Sequence, residues 1–315
     1  MEDCNKKLDS LMDSVILNDE IYELWNTRFS VKGKHHHILA DLIGCQYGKE
    51  LDKISMGETN GYQIAEPWNG DLLNADILFL SSNPGFTPEE KFPRYHGGKG
   101  ENIKFSFYEK NSSQNKWLSI REVRDFFKNR FNETPYTNSG IPSINIIKDG
   151  EEQKKPRGVK FWKIIAKITE DFFRCKLEDK IQDIKSYKIE IFKHIVSMEI
   201  VPFKSKSDNI LSNAVLNYCW KKYSREIFRE SNAPVVFLIG KKAQETFCHC
   251  ELNYKYDEAI SLLKEGKILH YENKKIVALP HLSLRKPESF FLPSKFFENE
   301  VVSELKSVIN KPELI

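Results

Sequence analysis

The sequence has no apolar run long enough to cross a membrane, and its 315 residues contain no internal repeat and no low-complexity tract. Neither sign of charge is in large excess, because the chain has 48 basic and 45 acidic residues and a net charge of +3. Binding to a nucleic acid therefore requires that the basic residues gather on one face. No glycine-rich phosphate-binding fingerprint supports a nucleotide-binding enzyme.

Cysteine is sparse, and its placement argues against disulfides and metal sites. The six cysteines form no disulfide framework and no signal-peptide pattern precedes them, so we expect reduced thiols in a cytoplasmic protein. In Cys248-His249-Cys250 the one-residue gap is poor for two ligands on one metal. Three consecutive histidines at 35–37 cannot all face the same way on a helix or a strand. We predict no metal, no cofactor and no membrane association.

Four short apolar runs with polar or turn-forming tips predict buried parallel strands. The first run ends in Ser81-Ser82-Asn83-Pro84-Gly85, where the proline makes a rigid turn. The others are residues 194–203, ending in Pro-Phe, residues 234–243, whose glycine opens a helix, and residues 275–283, ending in His-x-Ser. Ligands bind outside the carboxyl ends of such strands, so we expect the four tips to meet in one cleft.

The spacing of apolar residues predicts how helices surround this sheet. Residues 1–65 are expected to form a helical N-terminal extension that packs on the core, and residues 66–315 the main α/β domain. The connection over residues 86–193 is too long for a simple crossover, so we expect an insert there, at about 86–160. Helices are predicted at residues 5–25, 38–43, 120–131, 160–173, 214–229 and 257–263, and an exposed loop at 132–157.

In this order, the four strand tips resemble those of the uracil-DNA glycosylase superfamily. Its members carry a first motif of the type Gly-x-Asn-Pro-Gly or Gly-x-Asp-Pro-Tyr and a last motif of the type His-Pro-Ser. The matching segments here are Asn83-Pro84-Gly85 and His281-Leu282-Ser283, and residues 66–71 look like a lead-in of some bacterial members. The resemblance spans residues 66–285 and implies a three-layer αβα fold around a four-stranded parallel sheet.

The resemblance also implies catalytic roles for two residues. Asn83 matches the position that holds the attacking water, and His281 matches the histidine that donates a hydrogen bond to the leaving base. An amide orients water but is a poor base, so chemistry at an asparagine site depends on stabilising the departing base. A core histidine at the end of a strand is the alternative for His281.

One acidic residue and three aromatic residues are candidates for binding the base. Glu199, counted back from Pro202, matches the position where many members that bind uracil have asparagine. An ionised glutamate offers only acceptors, which suit the N4 amino group of cytosine, whereas the alternative is an ordinary pair with a lysine. Phe86 is a candidate for stacking on the flipped base, and Phe92 and Tyr95 are alternatives in the same loop. Ordinary packing in the core is the alternative for all three rings.

Two further segments are candidates for binding DNA. Ser283, Leu284 and Arg285 match the family loop that inserts a side chain where the base has left, with Leu284 or Arg285 as the wedge. Gly240, Lys241 and Lys242 open a predicted helix, whose backbone N–H groups and charges suit a phosphate. A solvated turn is the alternative for the two lysines.

Together these residues predict a monomeric, monofunctional DNA glycosylase that flips and excises a base and leaves an abasic site. The pair Asn83 and Glu199 favours cytosine or a modified cytosine over uracil as the excised base. If that base is a hypermodified cytosine of phage DNA, the role of the protein is antiviral defence. Three alternatives stay open: a catalytically silent DNA-binding relative, a uracil-excising repair glycosylase, and an unrelated nucleotide-binding α/β protein.

Overall fold

A computed structural model describes residues 2–26, 42, 61–87, 90–98, 102–107, 117–131, 143–144, 147–148, 151–152, 157–177, 191–205, 211–252, 255–280 and 299–309. The α-helices are α1 (Glu2–Ile16), α2 (Asp19–Asn26), α3 (Ile120–Lys128), α4 (Lys160–Leu177), α5 (Asn213–Cys219), α6 (Arg225–Glu230), α7 (Gly240–Glu251), α8 (Tyr256–Lys264) and α9 (Asn299–Ile309). The strands are β1 (Tyr62–Gln63), β2 (Asn69–Gly70), β3 (Ile77–Ser81), β4 (Pro93–Gly97), β5 (Lys104–Phe107), β6 (Ser143–Ile144), β7 (Ile147–Lys148), β8 (Glu151–Glu152), β9 (Arg157–Gly158), β10 (Ile195–Glu199), β11 (Val235–Ile239), β12 (Leu269–Tyr271) and β13 (Lys274–Leu279).

Among the described residues, the largest sheet has six strands in the order β12-β13-β11-β3-β10-β2. The four strands from β13 to β10 run parallel, and the two edge strands, β12 and β2, run antiparallel to their neighbours. The protein is therefore a mixed α/β protein whose sheet combines parallel and antiparallel strands. The expected sheet had four parallel strands alone, and the two edge strands were not predicted.

Helices cover both faces of this sheet because its central strands are apolar on both sides. All five residues of β3 and of β11 are buried, the pattern of strands that lie between two layers. On one face, Leu78 and Leu238 belong to a core that includes residues of α5, α7 and α8. On the other, Phe79 and Phe237 stack with ring centroids 5.2 Å apart, in a core with residues of α4 and α9.

The N-terminal helices α1 and α2 pack against the main body. The Arg124 guanidinium on α3 donates to Asp13 on α1, with Nε 2.7 Å from Oδ1. The ring of Tyr22 on α2 stacks on Tyr95 of β4, with centroids 3.8 Å apart. Of the second helix expected at 38–43, only Leu42 is described, and it is helical and buried. None of the described helices is long and apolar enough to span a membrane.

The long connection between β3 and β10 contains regular structure. Strands β4 and β5 form a three-stranded sheet with β1, and α3 begins with a capping box between Ser119 and Glu122. The described parts of the predicted loop at 132–157 form the short strand pairs β6–β9 and β7–β8, while its other residues lie outside the described part of the chain. The helix predicted at 214–229 is divided into α5 and α6 by a π-helical turn, Trp220–Ser224.

A glycine in β2 provides a test of the edge of the sheet. Gly70 has φ +96°, and an ideal Cβ there would lie 2.4 Å from the backbone oxygen of Ile195. We expect Gly70→Ala to lower the free energy of unfolding by more than about 1 kcal/mol, measured by urea denaturation. Gly85→Ala is the control, since a Cβ at Gly85 meets no described atom within 4 Å. Equal midpoints for the two variants would contradict this packing.

Candidate functional site at the carboxyl edge of the sheet

The carboxyl ends of the four parallel strands lie at one edge of the sheet. Asn83 follows β3 by two residues, and Glu199 is the last residue of the neighbouring strand β10. Ser81 and Glu199 are directly paired in the register of these two strands. The pairing continues beyond the strands, because the N–H of Val201 donates to the Ser82 oxygen at 2.9 Å. The two predicted site residues are therefore held on adjoining, hydrogen-bonded segments.

The amide of Asn83 has a defined orientation. Its Nδ2 donates to the Ser205 Oγ at 2.6 Å and to the backbone oxygen of Pro84 at 3.2 Å. Because the Pro84 oxygen only accepts, the NH₂ group must face it. The Oδ1 atom is buried and has no hydrogen-bond partner in the described part of the chain. Asn83 thus presents an acceptor that suits an O–H donor such as a water molecule.

Glu199 is partly buried, and a serine contacts its carboxylate. The Ser81 hydroxyl donates to the Glu199 Oε2. Ser224, the last residue of the π-helical turn, donates to the backbone oxygens of Glu199 at 2.9 Å and of Ile200 at 2.7 Å. Turns of this kind are frequent at functional sites. The carboxylate and the backbone that carries it are therefore both fixed by hydroxyl donors.

The aromatic candidates have different environments. Phe86 is partly buried beside the Asn83 turn, and its N–H donates to the Ser205 oxygen at 3.0 Å. Tyr95 is completely buried, stacks on Tyr22, and donates from its hydroxyl to the Gly98 oxygen at 2.8 Å. Its ring has no exposed face, so we correct the prediction that Tyr95 stacks on a base. Phe92 is also completely buried, and Phe86 stays a candidate.

The predicted phosphate-binding segment opens helix α7 directly after β11. Gly240 has φ +79°, a conformation that favours glycine, and it makes the sharp change from strand to helix. The Lys241 side chain is exposed and lies 3.5 Å from the Glu245 carboxylate. Lys242 lines a cavity of about 340 Å³ with polar neighbours that include Asn213. Two lysines in the first turn oppose the helix dipole, an arrangement that a bound phosphate would relieve.

The last motif lies outside the described residues. This applies to His281 and to the loop candidates Ser283, Leu284 and Arg285, whose predictions stay predictions. Pro280, the residue before His281, directly follows β13. Since β13 runs parallel to β11, the chain enters this motif at the same edge of the sheet as Asn83 and Glu199.

The cysteine cluster on α7 has the features of core packing. Cys248 is buried, and burial raises the pKa of its thiol to about 12. Cys250 donates to the Asn217 Oδ1 at 3.3 Å, and His249 is exposed next to Tyr256. Among the residues described, no group of three or more His, Cys, Asp or Glu side chains is placed to hold a metal ion.

Sequence reasoning missed the residues that orient the site. Ser81 fixes the Glu199 carboxylate, and Ser205 accepts from the Asn83 amide. Ser81 is part of the serine pair before Asn83, so a polar residue at the end of a buried strand is a usable signal. Ser205 has no such signal, since 122 positions separate it from Asn83.

The chain matches no protein-family model, and no curated protein matches it.

Proposed function

We propose that this protein is a DNA glycosylase that flips a base out of the duplex and hydrolyses its N-glycosidic bond. One observation carries the proposal: Asn83, with its Oδ1 acceptor unpaired in the described part of the chain, lies next to the Glu199 strand end at the carboxyl edge of the sheet. This is the place in an open α/β sheet where ligands bind. The motif resemblance supplies the reaction class.

Hydrolysis needs a positioned water molecule and a stabilised leaving base. The water oxygen bonds to C1′ of the deoxyribose while the bond from C1′ to the base nitrogen breaks, through an oxocarbenium-like sugar. The electron pair of the broken bond leaves with the base, and the proton lost by the water balances the proton gained by the base. The Asn83 Oδ1 orients the water by accepting a hydrogen bond from one of its O–H groups. His281, by resemblance, donates to the leaving base.

Glu199 favours a base that carries an amino group. An ionised carboxylate offers acceptors alone, and the N4 amino group of cytosine is a donor. A carboxylate also stabilises a cytosine protonated at N3, which is a better leaving group than the neutral base. Ser81 holds the carboxylate in place by donating to it. The proposed substrate is therefore DNA that contains cytosine or a modified cytosine. With hypermodified phage DNA as the substrate, the role of the protein is antiviral defence.

The partner in this proposal is DNA, bound by a monomer in the cytoplasm. Lys241 and Lys242 are the described residues that support a phosphate contact, because they lie in the first turn of α7 at the same edge of the sheet as Asn83. Phosphate contacts position a protein on DNA without specifying the sequence.

We expect the double variant Lys241→Ala/Lys242→Ala to bind every DNA sequence more weakly, because phosphate contacts give affinity without specificity. The slope of log affinity against log salt concentration should become shallower by about 0.9 for each phosphate that the variant no longer neutralises, measured by fluorescence anisotropy at several salt concentrations. Lys163→Ala/Lys264→Ala is the matched control, since both lysines are exposed and lie on other helices. An unchanged slope in the α7 variant would place the DNA on another surface.

The function itself is tested by incubation with oligonucleotides that carry uracil, cytosine or one of several modified cytosines, followed by alkaline cleavage of abasic sites. A glycosylase gives alkali-labile sites at one kind of base. Binding without such sites on any substrate would identify a catalytically silent DNA-binding relative, and cleavage at uracil alone would identify a uracil-excising enzyme.

A further inference from the structure

In the part of the chain that the structure describes, a cluster of four charged side chains is buried next to the Asn83 turn. Glu66, Glu90, Arg130 and Lys204 are 7%, 3%, 6% and 3% exposed. The Lys204 Nζ lies 3.0 Å from the Glu90 Oε2 and 3.3 Å from the Glu66 Oε2, and Arg130 donates to the other oxygen of Glu90. Two carboxylates thus balance two cations, in a cluster that the proposed chemistry does not use.

Such a cluster calls for an explanation beyond stability. Taking charges out of water is costly, and well-packed apolar residues in their place are often as stable or more so. The cations pair effectively, since they hold the pKa of the Glu90 carboxyl below its ordinary value although burial alone raises it. A buried pair of this kind is retained in some proteins because it specifies one conformation. Here the candidate conformation is that of the turn beside Asn83.

Lys204 connects three segments that lie far apart in the sequence. Glu66 belongs to the segment before β2, and its N–H donates to the Pro202 oxygen at 2.7 Å. Glu90 belongs to the segment that follows the Asn83 turn. Lys204 itself belongs to the segment after β10, and its Nζ also lies 3.9 Å from the centre of the Phe92 ring. The position of Lys204 is therefore fixed from two sides by carboxylates and from a third by an aromatic face.

The next residue, Ser205, transmits this position to Asn83. Its N–H donates to the Pro84 oxygen at 3.2 Å, and its own oxygen accepts from the Phe86 N–H at 3.0 Å. Its Oγ accepts from the Asn83 Nδ2 at 2.6 Å. If the Lys204 segment moves, the acceptor that orients the Asn83 amide moves with it. A displacement of about 1 Å at a catalytic group is enough to lower a rate by about 100-fold.

We propose that Lys204 is a positioning residue, whose buried pairs with Glu66 and Glu90 set the orientation of the Asn83 amide through Ser205. The effect on rate rests on the proposed function, whereas the effect on the amide does not. A second buried lysine allows a matched comparison. Lys274 is 2% exposed and donates to the backbone oxygens of Ser231 and Ala233, at the opposite end of the sheet.

The experiment compares Lys204→Met with Lys274→Met. Both variants should unfold at a lower temperature, because each removes a buried amino group from its partners. Only Lys204→Met should slow base release, by about 10-fold to 100-fold under single-turnover conditions with enzyme in excess, while the DNA dissociation constant stays within about twofold. Equal slowing by the two variants would overturn the positioning role, since loss of stability would then explain it.

A second measurement is independent of activity. The side-chain amide resonances of Asn83, assigned by their loss in Asn83→Asp, should shift in Lys204→Met and stay unchanged in Lys274→Met. Unchanged Asn83 resonances in Lys204→Met would overturn the proposal. If the parent protein releases no base from any DNA, the proposed function fails and these resonances alone decide the positioning role.

A further variant keeps the test decisive if Lys204→Met does not fold. Lys204→Met/Glu66→Gln also removes the charge of the carboxylate left without its lysine, while Glu90 keeps Arg130 as a partner. This double variant should regain thermal stability and still show the slow rate and the shifted Asn83 resonances. Recovery of both the rate and the resonances together with stability would contradict the proposal.

Discussion

Replacement of Asn83 by alanine should lower the rate of base release by roughly 10² to 10³, the usual cost of removing one positioned polar group. The amide has its NH₂ group on Ser205 and Pro84, so Oδ1 is the atom left to orient water. Alanine has no acceptor, and the attacking water would lose its orientation. The measurement is single-turnover release on the preferred substrate, together with the DNA dissociation constant, which should change little.

Two further variants separate this effect from general damage. Asn83→Asp should retain more activity than Asn83→Ala, because a carboxylate keeps an acceptor and the Ser205 hydroxyl is able to donate to it. Asn232→Ala is the matched control, since Asn232 is exposed and donates to the Leu73 oxygen away from the site. If Asn83→Ala releases the base at the rate of the parent protein, Asn83 is not a catalytic residue.

The second large effect concerns Glu199. We expect Glu199→Gln to lose activity on cytosine-type bases, because the amide is able to turn its NH₂ group toward the amino group of the base. Removing one half of a buried, charged hydrogen bond costs about 1.5–3 kcal/mol, which is roughly 10-fold to 150-fold in rate. The measurement is the ratio of single-turnover rates on the preferred cytosine derivative and on uracil, and this ratio should fall.

Ser81→Ala is the companion to that test. It leaves the charge of Glu199 in place but removes the hydroxyl that donates to Oε2, so a smaller loss with unchanged base preference is expected. A parent protein that prefers uracil over every cytosine derivative would contradict the role of Glu199. Equal rates for the parent and Glu199→Gln on every substrate would contradict it as well.

The sequence predicted the elements whose apolar pattern is strong. The five-residue strands β3, β10 and β11 have no charged residue before their tips, and α4 carries a regular apolar stripe. The pattern of apolar residues alone therefore predicts these elements. The edge strands β2 and β12 have two and three residues, too few to show any period. Strand β4 reads Pro-Arg-Tyr-His-Gly and has no strand-like alternation, yet its first three residues are buried.

The arrangement of the candidate site was predictable only in part, and the reason is physical. The positions of Asn83 and Glu199 at the carboxyl edge of the sheet were predictable because each stands at the end of an apolar run, and their roles in the site stay predictions. Tyr95 was misassigned, because its stacking partner Tyr22 lies in the N-terminal helices and no local signal connects them. The buried contact of Lys204 with Glu90 has no local signal either, since the two residues are 114 positions apart. Local sequence patterns indicate where strands end. Only the folded chain shows which distant side chains contact the residues at those ends.

Excision of a base is tested most directly by detecting the released base itself. An oligonucleotide with a single modified cytosine is incubated with the parent protein and with Asn83→Ala, and the small-molecule fraction is analysed by mass spectrometry. We expect the free base and an equal amount of abasic strand with the parent protein, and a yield lower by roughly 10² or more with the variant at early times. No free base from any cytosine derivative, or equal release by both proteins, would contradict it.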